Sequence, residues 1–231
     1  MINKKDFVEI EYTGKVKDPD VVFDTTDEKK AKESDLYDKN ATYGPIIVCI
    51  GENQVIKGLD KSLEGKQTGK NYTVLVEPED GFGKKDAKLI DLIATNKFIK
   101  QNIQPMPGLQ VNMDGRIGTI KTVSGGRTLV DFNHPLSGKQ LEYEFKINRI
   151  VDDDREKVKA IMDMSLNLKE TEVEIKDKKA EIKMKIKQDL PKPVLDVIKN
   201  KITELVPSVK QVDFIKKQDE KLKEKQQEDK K

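Results

Sequence analysis

The sequence predicts an α+β protein: an antiparallel sheet wrapped on one short helix, interrupted by a small β-rich unit and followed by a charged α+β module. Three observations carry that expectation. Residues 7–12 and Leu141–Ile150 alternate apolar and polar side chains with the period of half-buried strands. Val55, Ile56, Leu59 and Leu63 recur at helical spacing, and Gly65 closes the run. Residues 152–231 hold 19 acids and 21 bases in 80 positions with one aromatic, Phe214, whereas the other 11 aromatics lie before them. A boundary is therefore expected at 151–154.

After the first strand, Thr13-Gly14 breaks the pattern, and Val21-Val22-Phe23 forms a short second run ending at Asp24. Residues 25–43 are polar and mixed, and read as a long excursion. Residues 46–50 are a continuous apolar run suited to a buried strand, turned by Gly51-Glu52-Asn53. Residues 72–76 make another strand. Between Gly83 and Pro135, a helical turn at Phe98-Ile99 and two prolines precede strands at 109–111 and 117–123. Gly125-Gly126 then signals a hairpin to 128–132. In the rear module Asp154 is a candidate N-cap for a helix carrying Val158, Ile161 and Met162. Val173 and Ile175, then Ala180, Ile182, Met184 and Ile186, alternate with charges about a turn at 177–179. Pro193 opens a helix with Leu195, Ile198, Ile202 and Leu205 on one side. A last strand is expected at 209–215. Residues 216–231, with Leu222 alone apolar, read as a solvated helix or flexible tail.

Composition excludes several classes of function. The 44 basic and 42 acidic residues nearly cancel at +2, whereas a nucleic-acid binder needs a positive excess on one face. No stretch approaches the ~18 apolar residues of a membrane span. The first residues turn polar at once, without the apolar core of a secretory signal, and one Cys makes no internal disulfide, which fits a reducing cytoplasm. One His and one Cys exclude HExxH, zinc-finger and Cys/His nucleophile schemes, so neither a metal nor a cofactor is expected. Cys49 reads as inert core, and His134 as a structural residue at the return point of the inserted unit.

Five stretches in order carry a resemblance: Val8-Glu9-Ile10-Glu11-Tyr12-Thr13-Gly14, Val22-Phe23-Asp24-Thr25-Thr26, Gly51-Glu52-Asn53-Gln54-Val55-Ile56-Lys57-Gly58-Leu59-Asp60, Pro78-Glu79-Asp80-Gly81-Phe82-Gly83, and Asn133-His134-Pro135-Leu136-Ser137-Gly138-Lys139. Together they resemble the FKBP peptidyl-prolyl cis/trans isomerases, and best the SlyD-like and long archaeal members, in which an insert-in-flap domain interrupts the flap. The resemblance implies an FKBP-like isomerase domain at 1–85 and 135–151, an insert at 86–134 that binds unfolded chains, and an extra C-terminal domain at 152–231. It implies catalytic or orienting roles for Tyr12, Asp24, Ile56 (through its backbone N–H) and Phe82. Phe23, Ile46, Val48, Val55, Leu59 and Tyr143 fall on substrate-binding positions. Val111, Met113, Ile117, Ile120 and Phe132 either form the core of the insert or offer an apolar face to clients. Partners implied are unfolded or Pro-containing polypeptides, with macrolide inhibitors at the proline pocket. Two departures stand out: Leu59 where many members have Trp, and Phe82 where most have Tyr. The second motivates an alternative, a non-catalytic holdase. A role for the rear module as an assembly or ribosome-associated adaptor finds no support in its balanced charge.

Overall fold

A computed structural model describes residues 1–166, 168, 171–185 and 190–216. The first sheet is built on β1 (Phe7–Val16). Along one edge of β1, β2 (Val21–Thr25) pairs with its second half and β3 (Ile46–Cys49) with its first. The excursion between them contains a helix that the polar sequence hid, α1 (Glu28–Glu33), capped by the Asp27 carboxylate on the Lys29 and Lys30 N–H groups. Helix α2 (Lys57–Leu63) and strand β4 (Asn71–Val76) follow. The chain then leaves for β5 (Ile90–Ala94), α3 (Thr95–Ile99), β6 (Gln110–Met113), β7 (Arg116–Ser124) and β8 (Arg127–Asp131), and returns as β9 (Leu141–Ile150). β9 lies between β1 and β4, and all pairings in this sheet are antiparallel. Val8, Ile10, Val48, Val76, Leu141 and Ile147 enclose Leu59 and Leu63 of α2 in one core.

The inserted strands form a separate antiparallel sheet, β5-β8-β7-β6, around Phe98, Val111, Ile120 and Val130. β5 was not visible in the sequence pattern. The two legs that join this sheet to the first are tied to each other. Asn133 accepts from the Asp86 N–H at 2.8 Å and donates back to the Asp86 carbonyl at 3.0 Å. Lys85 reaches the buried Asp131 carboxylate at 2.9 Å, and the Gly138 N–H meets the Gly83 carbonyl at 2.8 Å.

The rear module contains α4 (Asp154–Leu166), the hairpin β10 (Thr171–Lys176) and β11 (Lys179–Met184), α5 (Lys192–Leu205) and β12 (Gln211–Lys216), which runs parallel to β11. Asp154 is not the N-cap expected: Asp153 accepts the Arg155 N–H at 2.7 Å, while Asp154 is already helical and bonds Lys157 and Ser208. Ile186 and residues 217–231, expected to extend the hairpin and to form the tail, lie outside the described residues.

The expected boundary is no linker. Val151 donates its N–H to the Phe7 carbonyl at 2.8 Å, and Phe7, Cys49 and Val151 are buried in the core formed by α4, α5 and the rear sheet. The continuous run 46–49 explains this: Ile46 and Val48 face the α2 core, and Ile47 and Cys49 face the rear module. Among the described residues no helix is long and apolar enough to cross a membrane.

Candidate active site

Four of the five strands of the first sheet, β1, β2, β3 and β9, contribute to one cluster on the α2 core, with Ile46 from β3. β1 supplies Tyr12 and Gly14, β2 supplies Phe23 and Asp24, and β9 supplies Tyr143, the cross-strand partner of Gly14. Val55 and Ile56 precede α2, and Phe82 follows a 3₁₀ turn at Pro78–Asp80. Phe23 stands edge-on to both Phe82 and Tyr143, each with ring centroids 5.9 Å apart, and Tyr12 is tilted 57° against Tyr143 at 5.8 Å. Such edge-to-face pairs hold rings in fixed orientations beyond what area burial supplies. Tyr12, Phe23, Ile46, Val55, Ile56 and Phe82 are half-buried on this core. Val48 and Leu59 have almost no solvent surface, so they support the aromatic cluster from within the core and offer no face to a ligand.

The polar groups are few. The Tyr12 hydroxyl donates to Asp24 Oδ2 at 2.9 Å. Burial, and then the Asp24 charge, push the Tyr12 phenol well above its usual range, so it stays a donor. Desolvation raises the Asp24 carboxyl, against the opposing pull of the Tyr12 hydroxyl and the Thr25 N–H. The Ile56 N–H opens α2 without a protein acceptor among the described residues. Cys49 is no nucleophile: burial pushes its thiol up to about 12, and it faces the rear module.

Two supports, Asp60 and Gln54, escaped the sequence reading, and a third, His134, was expected only as a structural residue with no stated contact. Buried Asp60 accepts the Gly51 and Asn53 N–H groups, both at 3.0 Å, and so pins the loop carrying Val55 and Ile56 to α2. The Gln54 side chain accepts the Cys49 N–H at 2.6 Å, fixing the same loop to β3. His134 stacks flat on Phe82, centroids 4.4 Å apart and planes within 4°, while its Nδ1 accepts the Leu136 N–H. A carboxylate one turn into a helix that follows a Gly-containing turn was the available signal for Asp60; nothing local announced Gln54 or the ring on which His134 stacks.

A cavity of about 580 Å³ lies across the opposite face of the sheet, between Thr13, Thr73 and Glu144 and the chain at Tyr43-Gly44. It is lined mainly by charged and hydroxyl side chains and shares only Tyr12 with the aromatic cluster.

In the insert, Val111 and Ile120 are core residues and present no face to a client, while Met113 and Phe132 pack partly against them. Ile117 is 67% exposed. The large exposed apolar side chains of this unit also include Leu92, Ile99 and Met106.

Residues 1–103 match the family described as FKBP-type peptidyl-prolyl cis-trans isomerase, and residues 91–136 match the one described as FKBP26, IF domain. A short-type peptidyl-prolyl cis-trans isomerase of Methanocaldococcus jannaschii is 31% identical over 150 residues, 65% of this chain and 94% of the relative. The chain belongs to the FKBP-type peptidyl-prolyl cis/trans isomerases. Two bacterial members extend the likeness. SlyD of Helicobacter pylori is 32% identical over 119 residues, 49% of this chain and 63% of that protein. The FKBP-type 16 kDa isomerase of Escherichia coli is 30% identical over 111 residues, 46% of this chain and 74% of that protein. As an FKBP-type isomerase, the chain turns X-Pro peptide bonds between cis and trans.

Proposed function

We propose that the depression bounded by Tyr12, Phe23, Ile46, Val55, Ile56, Phe82 and Tyr143, with Leu59 and Val48 beneath it, is the proline pocket. The X-Pro barrier of ~18–20 kcal/mol comes from amide resonance, which must be lost as the bond turns. A twisted amide is less polar than a planar one, so a dry apolar wall favours it, and each ~1.4 kcal/mol of that preference is tenfold in rate. The Ile56 N–H holds a substrate carbonyl, and the Tyr12–Asp24 pair orients the chain beside it. The observation that carries this reading is the convergence of four aromatic rings on one end of the α2 core with an unpaired backbone donor at its rim. Macrolide inhibitors fit the same depression.

The second half of the proposal is that residues 86–134 hold unfolded clients and pass Pro-containing stretches to the pocket. Its support is the set of exposed apolar side chains Leu92, Ile99, Met106 and Ile117 on a unit with a core of its own. Apolar surface with Met available suits promiscuous binding. The test is a double variant, Leu92→Ser with Ile117→Ser. Turnover of a short X-Pro peptide is expected to stay within about twofold, because the pocket is untouched. Catalysed refolding of a proline-limited protein is expected to fall by roughly tenfold or more, a part of the ~10²- to 10⁴-fold gain that tethering can give. Equal losses on both substrates, or none, would end the delivery idea. A wild-type peptide rate no greater than that of buffer would favour the holdase reading that Phe82 motivates.

A further inference from the structure

The hydroxyl of Tyr143 is the one part of the aromatic cluster that packing does not require. Tyr143 is 3% exposed, its ring is fixed edge-on to Phe23 and tilted on Tyr12, and it lies across Gly14 on the neighbouring strand. Three of the chain's five tyrosines have found partners for their hydroxyls. Tyr12 donates to Asp24, Tyr43 to the Leu36 carbonyl and Tyr72 to the Gln67 carbonyl. Tyr37 is 46% exposed, where water serves it. Tyr143 alone combines a buried ring with a hydroxyl that makes no hydrogen bond among the described residues, and that oxygen is not itself sealed off, since the one fully buried side-chain polar atom without a partner among them is Gln54 Nε2.

A hydroxyl that keeps a little solvent surface is not the costly orphan that a sealed donor would be; it is a donor left open to a ligand, and phenylalanine would pack the same ring without supplying it. Burial and the nearby Asp24 charge both raise the Tyr143 phenol, so the proton stays on the oxygen. Asp24 is already engaged by Tyr12 and the Thr25 N–H. What remains is a protonated donor without a protein acceptor among the described residues, its ring held among those that bound the proposed pocket.

We infer that the Tyr143 hydroxyl is a substrate-positioning donor, which bonds a backbone carbonyl flanking the X-Pro bond of the bound chain. The X-Pro carbonyl itself is a poor choice of acceptor. A donor there would favour the charge-separated resonance form that keeps the amide planar. A flanking carbonyl is unchanged as the bond turns, so the contact is equally strong in ground and transition states and acts on binding. The inference rests on the pocket reading above.

Tyr143→Phe tests it, with peptide kinetics resolved into kcat and KM. KM is expected to rise about three- to tenfold, with kcat within twofold, the signature of lost uniform binding. The melting temperature is expected to equal or exceed that of the wild type, because no protein hydrogen bond is removed. An unchanged KM overturns the inference. So does a fall in kcat at constant KM, which would place the hydroxyl on the turning amide, and so does a drop in melting temperature, which would reveal a structural partner. Phe23→Ala separates this from the pocket reading. If it lowers kcat/KM while Tyr143→Phe does nothing, only the hydroxyl inference fails; if Phe23→Ala is also silent, the pocket is elsewhere.

Discussion

Replacing Gly14 by Ala reaches the aromatic cluster through one methyl group. Gly14 does not adopt a positive φ, so its backbone accepts Ala. The new Cβ would stand 2.7 Å from Tyr143 Cε1, 3.0 Å from Phe23 Cζ and 3.1 Å from Tyr143 Cζ. Carbon contacts settle at about 3.5–4.0 Å, so these two rings must withdraw by roughly 1 Å. Neither can do so freely, since Tyr143 is packed on Tyr12 and Phe23 on Phe82. Overpacking of this kind costs about 1–3 kcal/mol, a fall of a few degrees in melting temperature for a chain of this size. The effect on catalysis is expected to be larger in proportion, because a displacement of ~1 Å at a positioning group can cost up to about 10²-fold. A protease-free assay on an X-Pro tetrapeptide, run well below the melting transition, reads the catalytic loss directly, and calorimetry reads the fold. If the melting temperature falls as expected but kcat/KM stays within twofold, the rings that crowd Gly14 do not bound the site, and the proposed pocket is wrong.

Two further outcomes follow from packing away from the pocket. Phe7→Ala should cost about 3–5 kcal/mol, because Phe7 is buried in the core that the first sheet shares with the rear module; both should then melt earlier in one transition, and a scan with two transitions of which only one moves would contradict the shared core. Asp131→Asn tests the crossing into the insert. Burial alone would raise the Asp131 carboxyl, but hydrogen bonds from Asn133 and Lys85 outweigh it and hold it below the usual carboxylate range. A depressed native value adds stability above the ordinary carboxylate value of about 3.9 and loses it as pH falls through the lower native one. The variant should therefore be less stable than wild type at pH 7 and converge with it in acid below about pH 4; a gap that persists in acid would mean that charge is not the cause.

Some of this was legible because local pattern and tertiary role agree. The alternation of 141–150 and the spacing of Leu59 and Leu63 each report a single buried face, and those faces meet in one core. The adjacent pair Phe7-Val8 and the run 46–49 held more than alternation can express. Two neighbouring apolar residues in a strand mean two buried faces, and the second face belongs to the rear module. Helix α1 was illegible because its six residues bury only Ala31, so no apolar stripe marks it, and Asp27 as a cap is one acid among many. The candidate site residues were named through motif order, not periodicity, since Phe23 and Asp24 lie in a strand of five residues, too short to show a period, and Phe82 in a turn. Asp60 escaped because its task is to bond the N–H groups of Gly51 and Asn53, which leaves no hydrophobic trace.

The way the insert leaves and re-enters bears on how it can serve the pocket. Phe82 is the last pocket residue before the outgoing leg, and His134, stacked on it, is in the returning leg. Ser137 donates its hydroxyl to the Phe82 carbonyl at 3.0 Å, so the pocket wall is bonded as well as stacked to the return path. Further out the legs are tied at Gly83–Gly138, Asp86–Asn133 and Lys85–Asp131. A single flexible linker would let the insert sweep a large volume and dilute whatever it holds. Two legs bonded at successive points sweep little, so a client held on the insert as proposed would stay at high effective concentration near the proposed site. The same ties have a mechanical consequence. A tilt of the insert would reach Phe82 through the His134 stack and the Ser137 hydrogen bond together, so a client held as proposed would act on that ring through its neighbours in the returning leg.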